Sequence, residues 1–168
     1  EVSEKIYKLS ESESITAFEM SFANKTVIHS MSSNPDAQAG KRGTRVLDEF
    51  ALHKNPKLLY SIALPGITWG GQMAIVSTHR GKHNFFNKLI EEARDGGNKK
   101  RASLHRVSLQ DALEQGFLWV LQQKLPAADA RQEMGEAEYF DYVRSQCADE
   151  ESFSQEYMCV PADESSVF

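Results

Sequence analysis

The feature that most constrains this chain is an alternation. An extended run from Thr44 to Leu47 precedes a helical stretch, a second extended run from Gln72 to Thr78 follows, and a second helical stretch comes after it. Asn55-Pro56 is a start signal for the first helix, since asparagine caps and proline suits the first helical position. Leu58, Leu59, Ile62 and Ala63 then recur at helical spacing until Leu64-Pro65-Gly66, which predicts the end, and Trp69-Gly70-Gly71 forms a corner. Asn84 caps the second helix, whose apolar residues are Phe85, Phe86, Leu89, Ile90 and Ala93 and which closes at Gly96-Gly97. Strand, helix, strand, helix predicts parallel strands joined by a right-handed crossover.

A parallel pair places both strand ends on one edge, where ligands of open α/β sheets bind. One strand ends in Asp48-Glu49 and the other in Ser77-Thr78. Neighbouring side chains on a strand point to opposite faces, so two adjacent acids there divide two tasks. In a nucleotide hydrolase the first orders a Mg²⁺ shell and the second orients water, while short hydroxyls on the next strand bond to phosphate, carboxylate or water. Residue types alone also allow a plain alternative, with two solvated acids in a turn and two hydroxyls capping a loop.

The rest of the chain fills in around this unit. Its 168 residues suit one ordinary domain, and the composition, 40% hydrophobic and 26% charged, is globular. No apolar run is long enough to span a bilayer, and Glu1 to Ser14 is too polar for a signal peptide, which points to an intracellular protein. Those first residues show no firm period. Residues 15–22 and 26–32 read as two strands of a hairpin turning at Ala23-Asn24-Lys25, with His29 as a hydrogen-bonded core residue. Ser33-Asn34-Pro35-Asp36 is turn chemistry, and residues 102–107 read as a further strand. Ser108 to Asp111 has the form of a capping box, and a helix follows it to Gly116. Residues 117–125 and the region from Asp129 onward are helical, with Tyr139, Phe140, Val143, Phe153 and Tyr157 as anchors and Pro161 as the stop. Trp69 and Trp119 read as packing residues, and Cys147 and Cys159 as reduced structural thiols.

Charge is unevenly spread. Residues 127–168 hold eleven acids against Arg131 and Arg144, whereas the first 126 residues hold 17 bases against 13 acids. The acidic end reads as a solvated helical surface. Arg80, Lys82 and His83 cluster in one loop and Lys99, Lys100 and Arg101 in another, at opposite ends of the helix between them. Such loops either track a nucleic-acid backbone by charge or are simply solvated. Arg42 and Arg45 flank the acidic strand, placed to pair with local acids or to stabilise charge on a phosphate. His53 has no second histidine or cysteine at metal-ligand spacing and reads as structural.

Several stretches together carry a resemblance. Ser33-Asn34-Pro35 with Arg42-Gly43, then Val46 to His53 (VLDEFALH), resembles the segment around the Walker B motif in the ATPase half of large terminase subunits of tailed phages and prophages, particularly the Mu-like kind. Ile75-Val76-Ser77-Thr78 with Gly81 and the Asn84-Phe85-Phe86 helix is similar to their coupling motif, and residues 153–160 are similar to the segment leading towards a nuclease domain. The resemblance covers residues 15–168. It implies an α/β fold, a RecA-like P-loop NTPase core with a mainly parallel sheet over 1–108, followed by an acidic helical subdomain over 109–168. It also implies a motor that uses ATP and Mg to drive duplex DNA into a procapsid in the cytoplasm of the bacterial host. The small terminase subunit, the portal and a homo-oligomeric ring would be partners, with no membrane involved. Asp48 corresponds to the Mg²⁺-coordinating acid, Glu49 to the catalytic base, and Ser77 and Thr78 to the coupling motif near the nucleotide. Arg80, Lys82, Lys99, Lys100 and Arg101 are candidate DNA contacts.

One element of that pattern has no counterpart here. A phosphate-binding loop needs Gly-x-x-x-x-Gly-Lys-[Ser/Thr], and neither Gly40-Lys41-Arg42 nor Gly81-Lys82-His83 supplies it. In the family that loop lies upstream of these motifs, so residues 1–168 read as an internal piece of a longer protein, inactive by themselves. Two rivals stand beside this reading: a superfamily-2-type helicase ATPase domain, which also pairs a DE strand with a hydroxyl-bearing strand, and a non-catalytic interaction or scaffold module.

Overall fold

The computed structural model describes residues 2–8, 14–32, 34 and 40–163. All but Asn34 of the expected turn at Ser33–Asp36 lies outside them. The chain forms two compact units, residues 1–76 and residues 77–168. The result is a mixed α/β protein with small sheets.

The first unit opens with three antiparallel strands in the order β1-β2-β3: β1 (Val2–Lys8), β2 (Ser14–Ser21) and β3 (Val27–Ser30). Val2 pairs with Met20, Lys8 with Ser14, and Phe18 with Ser30. The β2–β3 hairpin follows the sequence pattern. Its turn is closed by the Phe22 amide donating to the Thr26 carbonyl (2.9 Å), with Asn24 Oδ1 accepting from the Thr26 amide (3.0 Å). Strand β1 is not signalled locally, because a full-length ladder with β2 supplies its order in place of a periodic pattern. His29 is not a core residue. It sits opposite Glu19 in the register, and its Nδ1 lies 3.4 Å from that carboxylate.

Farther on, β4 (Arg45–Leu47) and β5 (Met73–Ile75) form the parallel pair, joined through helix α1 (Pro56–Ile67). Asn55 caps α1, its Oδ1 accepting from the Leu58 amide (3.0 Å). Leu47, Phe50, Ala51, Leu59 and Ala63 are buried, and α1 packs on β4 and on the short 3-10 turn Phe50–Leu52. The helix runs through Pro65-Gly66, which the sequence marked as its end. Packing holds the last turn in place, for Gly66 presses so closely on the Lys41 carbonyl that a Cβ there would come within 2.5 Å of it.

Parallel pairing among the described residues is confined to β4 and β5, and the larger sheet is antiparallel, so the sheet is not mainly parallel as expected. Nor do residues 102–107 form a strand. The two ends of this stretch are bonded in other ways: Asn98 bonds both the amide and the carbonyl of Ala102, and the Val107 carbonyl accepts from Cys159 Sγ (3.3 Å).

The second unit is helical, with α2 (Phe85–Arg94), α3 (Leu109–Glu114), α4 (Phe117–Gln122), α5 (Glu136–Gln146) and α6 (Glu150–Tyr157). Leu109, Leu113, Leu118, Tyr139, Val143 and Phe153 form its core. The Ser108/Asp111 capping box is formed as the sequence indicates. Trp69 and Trp119 are corrected from packing residues to surface ones, at 73% and 67% exposure. Cys147 and Cys159 are free thiols. No helix among the described residues is long and apolar enough to cross a membrane.

Candidate functional site

Asp48 and Glu49 stand in a turn between two anchored residues, Leu47 at 5% exposure and Phe50 fully buried. Burial on both sides fixes the turn and leaves the carboxylates in solvent. They do not occupy a strand, so strand alternation does not set their directions as expected. Instead Glu49 adopts left-handed backbone (φ 47°, ψ 40°), a conformation that costs a residue with a Cβ and that concentrates at functional turns. Four contacts hold it. Asp48 Oδ1 accepts from the Glu49 amide (3.0 Å), and the Glu49 carbonyl accepts from the Leu52 amide (2.9 Å). His53 Nε2 donates to the Asp48 carbonyl (3.1 Å), and the ring meets Phe50 edge-on. His53 is thus structural, as the sequence suggests, but its particular task is to brace the acidic turn.

The parallel pairing continues past both strand ends. The Val76 amide donates to the Leu47 carbonyl (2.9 Å), and the Phe50 amide donates to the Val76 carbonyl (3.1 Å). The acidic turn and the exit of β5 therefore lie at one edge of the first unit. Ser77 and Thr78 follow Val76 directly and begin the second unit, both half-buried.

The basic residues near the edge have other engagements. Arg42 lies over the Trp69 ring (4.5 Å), and buried Arg45 donates to the Lys41 carbonyl. Burial lowers the affinity of the Arg45 guanidinium for its proton. In the second unit, His79 is buried against Phe86, and its Nδ1 has no hydrogen-bond partner among the described residues. Burial, then the positive charges of Arg94 and Arg106, lower the His79 pKa from the ordinary histidine value.

Of the candidate DNA contacts, Arg80 pairs with Glu156 (2.6 Å), Lys82 with Asp163 (2.6 Å) and Lys100 with Glu92. Lys99 and Arg101 are exposed and make no ion pair among the described residues. Gln155 is a residue that the sequence gives no reason to select. It is buried, and its Oε1 accepts from the Gly81 amide (2.6 Å) across 74 positions of chain. A local pattern cannot register so distant a partner.

A family model described as terminase large subunit, T4likevirus-type, N-terminal, matches residues 2–168. The chain belongs to this large terminase subunit family. Its curated relatives include the Mu-like prophage FluMu protein gp28 of Haemophilus influenzae, 30% identical over 168 residues, or 94% of this chain and 30% of that protein. They also include the probable terminase, large subunit gp28, of Escherichia phage Mu, 33% identical over 152 residues, or 89% of this chain and 26% of that protein. The chain thus spans under a third of the length of either relative. No solved structure gives a significant match.

Proposed function

We propose that the chain is the ATPase-core segment of a DNA-packaging motor, with Asp48 and Glu49 as its Walker B acids. The observation that carries this reading is the strained, braced acidic turn at the end of a parallel strand, beside the exit of the strand that leads to Ser77-Thr78. On this reading residues 1–108 belong to a RecA-like P-loop core, and residues 109–168 form the helical part leading towards a nuclease domain.

The residues fit the ion the reading requires. No group of three or more His, Cys, Asp or Glu among the described residues could hold a metal. Mg²⁺ is commonly held by one or two carboxylates, waters and substrate phosphates, and an exposed aspartate suits that role. Asp48 would hold it through water; the ion, when bound with ATP, neutralises charge on the phosphates. Glu49 has an exposed carboxylate that accepts a proton or orients the attacking water, and its left-handed backbone, locked by Phe50 and His53, gives it a fixed starting direction. Ser77 and Thr78 sense the phosphate through hydroxyl hydrogen bonds. Lys99 and Arg101, without an acidic partner among the described residues, are the readiest of the basic residues to follow a DNA backbone, with Arg80, Lys82 and Lys100 available only on release of theirs. Duplex DNA, the small subunit, the portal and procapsid, and further copies in a ring are the partners this motor needs, in the host cytoplasm.

Residues 1–168 alone lack the phosphate-binding sequence, so the test uses the full-length large subunit. Glu49→Gln is expected to lower Mg-dependent ATP turnover by at least about 10²-fold, the usual worth of a general base, with thermal stability unchanged. Full turnover in that variant would remove Glu49 from catalysis.

A further inference from the structure

Beyond Val76 the chain leaves the sheet, and what holds the following loop is the far end of the second unit. The Gly81 amide donates to Gln155 Oε1 (2.6 Å), and the Lys82 amide donates to the Ala162 carbonyl (3.0 Å). Gly81 is in the left-handed region (φ 81°), so the loop reverses at the point where Gln155 grips it. The same Oε1 accepts from the Ala162 amide (3.4 Å), joining α6, the segment after it and the loop at one atom. Two ion pairs lie around this joint, Arg80 with Glu156 and Lys82 with Asp163. Asn87 adds a bond from its Nδ2 to the Lys82 carbonyl (2.9 Å).

We propose that Gln155 is a positioning residue for the coupling pair, clasping the loop that follows Ser77-Thr78 to α6 and residues 160–163. The inference rests on the ATPase reading and deepens it. A shift of Ser77 and Thr78 on loss of a phosphate has a short path to travel: Gly81 lies three residues past Thr78, and its amide is bound to a buried side chain. Buried hydrogen bonds of this kind have few alternative geometries, because an amide left without its partner inside the protein is unfavourable. The loop and the acidic segment therefore move together or the clasp breaks. A role for that segment follows which its charge alone does not suggest: it receives the nucleotide state from the coupling loop.

Both bonds to Gln155 use its Oε1 as acceptor, and this sets the test in the full-length protein. Gln155→Glu keeps an acceptor at that place, whereas Gln155→Leu keeps similar bulk and removes it. Hydrogen exchange at the Gly81 and Lys82 amides is expected to speed up about tenfold in Gln155→Leu, the effect of losing one hydrogen bond, and to stay near wild type in Gln155→Glu. The amount of DNA moved per ATP should fall several-fold in Gln155→Leu at unchanged KM for ATP, with Gln155→Glu restoring it. A Gly81 amide that exchanges freely in wild type, or that ignores Gln155→Leu, sinks the clasp. Faster exchange with normal DNA movement per ATP reduces Gln155 to a fold contact and overturns the coupling role. A wild-type protein without ATP turnover, in which the Gly81 amide still responds to Gln155→Leu, defeats the ATPase reading and the coupling role with it.

Discussion

The antiparallel strands at the start and the helices after Ser108 treat their apolar residues in opposite ways. In the helices, Leu109, Leu113, Leu118, Tyr139, Val143 and Phe153 are all between 2% and 9% exposed and touch one another. In the strands, Val2, Ile6, Phe18 and Ile28 are between 55% and 68% exposed. A sheet has two faces, and β2 alternates between them: Ala17 and Glu19 are buried, while Phe18 and Met20, alternating with them, face outward. Helices can close a core on each other by turning one stripe inward. The difference teaches where stability resides. Phe153 is the sharpest probe, since its ring meets Phe140 edge-on and stacks on Tyr157. Phe153→Ala is expected to cost about 3–5 kcal/mol in urea unfolding followed through Trp119, the indole of α4, in a Trp69→Phe background. A loss below about 1 kcal/mol would mean that the helices do not share a closed core.

A smaller effect tests how the helical part is started. Ser108 is buried and accepts from the Asp111 amide (3.2 Å), while Asp111 Oδ2 accepts from the Ser108 amide (2.8 Å). Ser108→Ala is expected to cost about 0.5–2 kcal/mol, the range for a lost helix cap. Acid titration gives a second readout. The Ser108 hydroxyl, then its amide, hold the Asp111 carboxyl below its ordinary value of 3.8. A carboxyl depressed in the folded protein contributes stability that is present above its unfolded value and is lost as pH falls through the folded one. The variant should therefore lose less on acidification below pH 3.8 than the wild type does. An identical acid slope would detach the box from the titration.

The same contrast between local and distant partners governs what the sequence discloses. Asn55, Asn84 and Ser108 were legible as caps because each bonds an amide two or three residues away. The parallel pair was legible because hydrophobic runs, a helix start and two strand ends occur in order. Strand β1 was not, since its residues show no firm period and its order comes from the ladder with β2. Residues 102–107 have strand-like composition yet lack a strand, and Asn98 and Cys159 serve the backbone groups of Ala102 and Val107 instead. At the site, Asp48 and Glu49 were visible as an acid pair, but the left-handed turn and its brace at His53 needed Phe50 to be seen buried. Gln155 depended wholly on tertiary contact.

The smallest expected effect bears on the open side of the comparison. Phe18 sits in the middle of β2, at 55% exposure, with Glu4 and Ser30 as its cross-strand partners. Neither partner offers an aromatic or branched surface to pack against, so little apolar contact is lost when the ring is removed. Threonine also retains the β-branched preference for extended backbone. Phe18→Thr is therefore expected to change unfolding stability by less than about 0.5 kcal/mol, far from the value for Phe153→Ala. Circular dichroism and urea titration of the same protein measure both variants on one scale. A Phe18→Thr loss as large as that of Phe153→Ala would mean that this face is packed in solution, and the contrast between an open sheet and a closed helical core would fail.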